Sequence, residues 1–165
     1  MSIQSIVAIM DKLCSLHESL YTLSKEKTDM LKEGDTQSLQ ALLVKERKHI
    51  QAISQLDAER EKQVTSWFQS KGIPVNEPTI TTMIENIQSQ EEKQQLEELF
   101  ERLLDVLAGL KQQEQLNQEL THQSLQFVEL SLDMLQPSMK NMNYGKPNTK
   151  QADQGQKRSV FDSKA

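Results

Sequence analysis

From Leu96 to Leu135 the chain contains no proline and a single glycine, Gly109. Its first apolar residues, Leu96, Leu99, Leu103, Val106 and Leu110, are spaced three, four, three and four apart. That spacing is a helical seam facing one partner surface. After Gln113 the pattern splits. Leu116, Leu120, Phe127, Leu130 and Met134 form one stripe, and Leu125, Val128, Leu132 and Leu135 form another. At 100° per residue the second stripe lies well round the helix from the first. A helix apolar on two faces needs two surfaces to cover it. One of them can be the protein's own bundle and the other a second protein.

The remaining sequence reads as helix that could build that bundle. Between Ser2 and Glu33, the positions Ile6, Ile9, Leu13, Leu16, Leu20, Leu23, Lys27 and Met30 alternate steps of three and four, and only Lys27 is polar. Gly34 supplies a left-handed stop and Asp35 an immediate cap for the next helix. A connection that short dictates an antiparallel hairpin. The second helix is expected over 36–70, with a seam of Leu39, Leu43, Glu46, Ile50, Ile53, Asp57, Arg60, Val64 and Trp67. Its polar members have two readings: long side chains snorkelling from a partly open seam, or Asp57 and Arg60 pairing at i and i+3 to fix register. Gly72, Pro74 and Pro78 break the chain. A short helix is expected over 78–87, with Pro78 in its first turn. Ser89, with Glu92 three residues on, reads as a capping box opening the last helix, over 89–136. Gly109 is the expected site of any bend.

The fold expected is therefore all-α: an elongated antiparallel helical bundle or coiled-coil hairpin, with a long C-terminal helix. It makes one helical domain over residues 1–139. Residues 140–165 are rich in Asn, Gly and Lys without apolar periodicity, and read as a flexible basic tail. That tail holds six Lys or Arg against two Asp, while the whole chain carries −5, so the helical body is acidic. An acidic body argues against nucleic-acid binding. No stretch approaches a membrane span of roughly 20 apolar residues, no signal peptide is apparent, and the single cysteine, Cys14, suits a reducing cytosol.

Catalytic patterns are sparse. Cys14 sits beside Leu13 on the first helix with no glycine-rich turn near it, as a packed thiol would. Two Glu-x-x-His pairs, Glu46/His49 and Glu119/His122, could belong to a di-iron site in a helical bundle, completed by Glu18 or Glu26 and by Glu97 or Glu98. Metal ligands must converge inward. Glu119 and His122 point away from both stripes of the last helix, so no catalytic residue, metal ligand or cofactor is assigned.

The segment Leu31-Lys-Glu-Gly-Asp-Thr-Gln-Ser-Leu39-Gln-Ala-Leu42, followed by Lys45-Glu-Arg-Lys48 and Leu56-Asp-Ala-Glu-Arg60, resembles the N-terminal half of the FlgN family of flagellar export chaperones. Leu103-Leu-Asp-Val-Leu-Ala-Gly-Leu110, with Asn117 and Leu120, resembles its C-terminal half. Tyr144-Gly145 and the closing Ser159-Val-Phe-Asp-Ser-Lys-Ala165 are similar to tails of Gram-positive, Bacillus-like members. The resemblance implies a cytoplasmic, non-enzymatic, all-helical chaperone for flagellar type III export. Such proteins bind the C-terminal helices of the first and third hook-associated proteins, prevent their premature assembly and deliver them to the export gate. It also implies a client-binding part toward the C-terminus. The residues assigned to it here are Leu116, Leu120, Leu125, Phe127, Val128, Leu130, Leu132, Met134 and Leu135, with Tyr144 as a candidate tail contact. A structural coiled-coil adaptor, using the second stripe as a homodimer seam, stands as the alternative.

Overall fold

The computed structural model describes the backbone of residues 2–143 and the side chains of residues 2–135. Among the described residues all regular structure is helical: α1 (Ile3–Glu33), α2 (Thr36–Lys71), α3 (Ile80–Asn86) and α4 (Gln90–Asn143). The described residues divide into two units, with the boundary between His122 and Gln123. The first holds α1, α2, α3 and the beginning of α4.

The junctions form where turn chemistry demands them. Gly34 ends α1 at φ 70°, a left-handed conformation that glycine adopts without steric strain. The Asp35 carboxylate then accepts the Ser38 backbone N–H at 3.0 Å and opens α2. Gly72 closes α2 in the same left-handed conformation. α3 begins later than Pro78. Its cap is Thr79, which exchanges backbone-to-side-chain bonds with Thr82 in a reciprocal box. A cap that satisfies two N–H groups fixes a helix start better than proline, which merely removes one. α4 opens as expected after Ser89, whose hydroxyl accepts the Glu92 N–H at 3.5 Å.

α4 does not stop at residue 136 but continues through Pro137 to Asn143. Proline removes one helical hydrogen bond, yet its fixed φ is itself close to helical, so it penalises a long helix without always ending it. The expected tail therefore gives up residues 140–143 to α4. Residues 144–165, including Tyr144, lie outside the described residues.

The apolar core of the first unit gathers Ile6, Ile9, Met10 and Leu13 of α1 with Val64, Trp67 and Phe68 of α2, Ile80 and Met83 of α3, Ile87, and Leu96 of α4. Leu99, Phe100 and Leu103 pack against it. Ile6, Val64, Met83 and Leu96 are wholly inaccessible to solvent. Trp67 and Phe68 meet edge to face, 4.9 Å between ring centroids.

Two seams differ from the sequence reading. α1 buries Met10, Cys14, Ser24 and Thr28 beside its heptad stripe, because α2 and α4 cover it from two sides. On α2 the buried leucine is Leu42, whereas Leu43 and Ile50 are exposed. Leu42 lies one turn before Glu46, on the same face, and Glu46 is turned inward toward Lys27. Spacing places Leu43 and Ile50 in the seam, and the structure turns Leu42 inward in their stead. Asp57 and Arg60 do pair as the sharper reading had it, Nε to Oδ1 at 2.7 Å.

Gly109 has a role that spacing does not disclose. α4 is one helix through it, and a Cβ at this position would stand 3.1 Å from the Tyr21 ring. The missing side chain admits that ring, and the Lys25 ammonium sits 4.1 Å from its centroid.

Candidate functional site

Away from the apolar core, the first unit is held by a polar layer joining three helices. The Thr28 hydroxyl donates to Asn117 Oδ1 at 2.6 Å, and Asn117 Nδ2 donates to the Ser24 carbonyl at 2.9 Å. The Ser24 hydroxyl donates to Glu114 Oε1 at 2.6 Å. Lys27 Nζ lies 2.7 Å from Glu46 of α2 and 3.0 Å from Glu114 of α4. Burial acts to lower the Lys27 pKa, but the bonds to Glu46 and Glu114 outweigh it and hold the ammonium above its ordinary value. Hydrogen bonds within this layer permit Ser24, Thr28 and Asn117 to be buried, and ion pairs with Glu46 and Glu114 permit Lys27 to be.

Cys14, Glu18, Glu46 and His49, considered for chemistry, are engaged elsewhere. Cys14 is buried, its thiol 3.4 Å from the Leu99 carbonyl, and burial pushes its pKa up, away from a reactive thiolate. Glu18 receives Arg102 in a two-pronged pair, at 2.6 and 2.7 Å, which holds its carboxyl below the usual range. His49 hydrogen-bonds Ser19 through Nε2 and the Lys45 carbonyl through Nδ1. Glu46 faces the Lys27 cation. Among the described residues no group of three or more His, Cys, Asp or Glu is placed to hold a metal ion.

The nine assigned leucines, valine, phenylalanine and methionine behave differently in the two units. In the first, Leu120 is half-buried and Leu116 only moderately exposed. In the second, every one of Leu125, Phe127, Val128, Leu130, Leu132, Met134 and Leu135 is more than half exposed, and Phe127 and Met134 reach 71% and 72%. Sequence reasoning gave one stripe to the bundle. Over residues 123–135 neither stripe is covered. Isolated exposed leucines need no explanation, but here seven large apolar side chains on one short helical run leave two adjacent stripes bare. Glu129 and Asp133 lie one turn apart, both exposed, and no Lys or Arg falls between 123 and 135. The Ser131 hydroxyl, between the two stripes, donates to the Phe127 carbonyl at 2.8 Å. The sequence singled out Lys27 and Glu46 as polar seam positions but not Ser24, Thr28 and Asn117, which interrupt no motif and look like ordinary surface residues of a helix.

Among the described residues the chain is helical, with an apolar core, a polar layer joining three helices and one helical segment exposed on two faces. The model of the family described as FlgN protein matches residues 1–152. The uncharacterized protein YvyG of Bacillus subtilis (strain 168) is 42% identical over 165 residues, which is 100% of both chains. The chain therefore belongs to the FlgN family, and its role is of the flagellar export chaperone kind. No solved structure matches it.

Proposed function

We propose that this protein is a cytoplasmic chaperone for the first and third hook-associated proteins. It binds their C-terminal helices, prevents their premature assembly and delivers them to the flagellar export gate. The observation that carries the reading is the exposure of Leu125, Val128, Leu132 and Leu135 together with Phe127, Leu130 and Met134. A client helix laid on such a surface buries its own apolar stripe there instead of against another client. Each well-buried leucine contributes roughly 1.5–3 kcal/mol before entropy is subtracted, so four or five support micromolar binding while leaving release feasible. Activity by binding rather than catalysis is supported by the engagement of Cys14, Glu18, Glu46 and His49 in packing and ion pairs. A cytoplasmic place of action is supported by family membership, and among the described residues no helix is long and apolar enough to cross a membrane.

The test is co-elution of the full chain with a purified hook-associated protein, with and without the client's C-terminal helix. The intact client is expected to form a complex and the truncated one to elute alone. Equal binding of both forms would remove the proposed recognition element.

A further inference from the structure

We propose that the client straddles residues 125–135 with two helices, one on each apolar stripe, and that those helices carry Lys or Arg along the edges that approach Glu129 and Asp133. This rests on the reading of the segment as the client site and adds the form and charge of what occupies it.

At 100° per residue, Phe127, Leu130 and Met134 centre about 145° round the helix from Leu125, Val128, Leu132 and Leu135. A docked helix covers a stripe on the order of 100° wide. One helix therefore covers one stripe and leaves the other in water. Every residue of both stripes is more than half exposed, so both need cover.

Between the stripes, on the narrower side, lie Ser124 and Ser131. The Ser131 hydroxyl is already spent on the Phe127 carbonyl. Burying it beneath two flanking helices strands no donor, because its hydrogen bond stays inside the helix. On the wider side lie Gln126, Glu129 and Asp133, which place negative charge between the outer edges of both stripes. With no Lys or Arg in residues 123–135 to answer Glu129 and Asp133, the complementary charge is assigned to the client. A second copy of this segment would bring the same two carboxylates and no cation, which disfavours self-pairing as the occupant.

The experiment measures binding of the full chain to a full-length hook-associated protein and, separately, to a synthetic peptide of that client's C-terminal helix alone. Three double variants are compared: Phe127→Glu with Met134→Glu, Val128→Glu with Leu132→Glu, and Glu129→Lys with Asp133→Lys. Circular dichroism confirms that each remains folded. Against the full-length client, each stripe variant is expected to weaken binding roughly tenfold or more, and the charge reversal to weaken it and alter its salt dependence. Against the single-helix peptide, only one stripe should matter. If one stripe proves silent toward the full-length client, a single helix is the occupant and the straddled arrangement is wrong. Charge reversal without effect would remove the basic edges. Dimerisation of the free chain that either stripe variant abolishes would make a second copy the occupant. Unmodified protein that binds neither probe would overturn the proposed function itself, an outcome distinct from one silent stripe.

Discussion

α4 contains two apolar segments built from nearly the same residues at the same spacing, yet they meet opposite fates. Leu96, Leu99 and Leu103 enter or flank the core formed by α1, α2 and α3. Leu125, Val128, Leu132 and Leu135 repeat the steps of three and four and stand more than half exposed. The contrast teaches that heptad spacing states that a face requires cover but not what supplies it. Around Leu96 the cover comes from this chain, as Ile6, Met83 and Val64 show by their own complete burial. Around Val128 it is proposed to come from a client. In sequence, the part of α4 between these segments includes Glu114 and Asn117, which join Lys27 and Glu46 in the polar layer, where hydrogen bonds replace apolar contact.

The largest effect is expected in the core. Leu96→Ala should lower stability by about 2–5 kcal/mol, as truncation at a fully buried site does. Val128→Ala should change it by less than about 0.5 kcal/mol, because that face is already wet. Urea denaturation of both variants checks the pair, and equal losses would erase the distinction between the segments.

Next is the polar layer. Asn117→Ala leaves the Thr28 hydroxyl only the Ser24 carbonyl as acceptor and removes the amide that donates to Ser24. A loss of about 1–3 kcal/mol is expected in the same denaturation assay. A neutral result would mean that water serves those groups as well as Asn117 does.

The ion pair of Glu18 with Arg102 should be felt through pH. The folded carboxyl titrates below its ordinary value of 4.5 because Arg102 hydrogen-bonds it. Its contribution is therefore present above that value and lost as pH falls through the lower, folded one. Both side chains are about 40% exposed, so the contribution should stay below about 1 kcal/mol and shrink in salt. Glu18→Gln should flatten the acid limb of the stability curve, and an unchanged limb would show the pair to be fully screened.

The smallest effect is expected at Gly109. Alanine favours helix by about 1 kcal/mol over glycine, but its Cβ would press on the Tyr21 ring at 3.1 Å. Gly109→Ala should be nearly neutral alone and stabilising by about 1 kcal/mol in a Tyr21→Ala background. Equal effects in the two backgrounds would deny the contact.

Much of this architecture was legible beforehand because it rests on local rules. Gly34 with Asp35, and the steps of three and four in α1, place helix and turn without reference to tertiary structure. What remained hidden depends on neighbours. Leu42 and Leu43 are chemically identical, and which of them is buried depends on how α2 packs against its neighbours. Ser24, Thr28 and Asn117 look like surface residues until α4 is laid on α1. Gly109 reads as a weak point in a helix until Tyr21 is seen above it. The bare stripes were located by spacing, but spacing could not say that both, rather than one, would be exposed.

The central claim is that residues 123–135 await cover that the client supplies. Amide hydrogen exchange on the full chain, with and without a purified hook-associated protein, tests it most directly. A helix without tertiary cover opens readily, so residues 123–135 should exchange quickly in the free chain while those around Leu96 exchange slowly. On addition of client, protection should rise sharply across 123–135 and remain as it was around Leu96. Protection that is already high there in the free chain, or that appears only elsewhere on binding, would contradict the account.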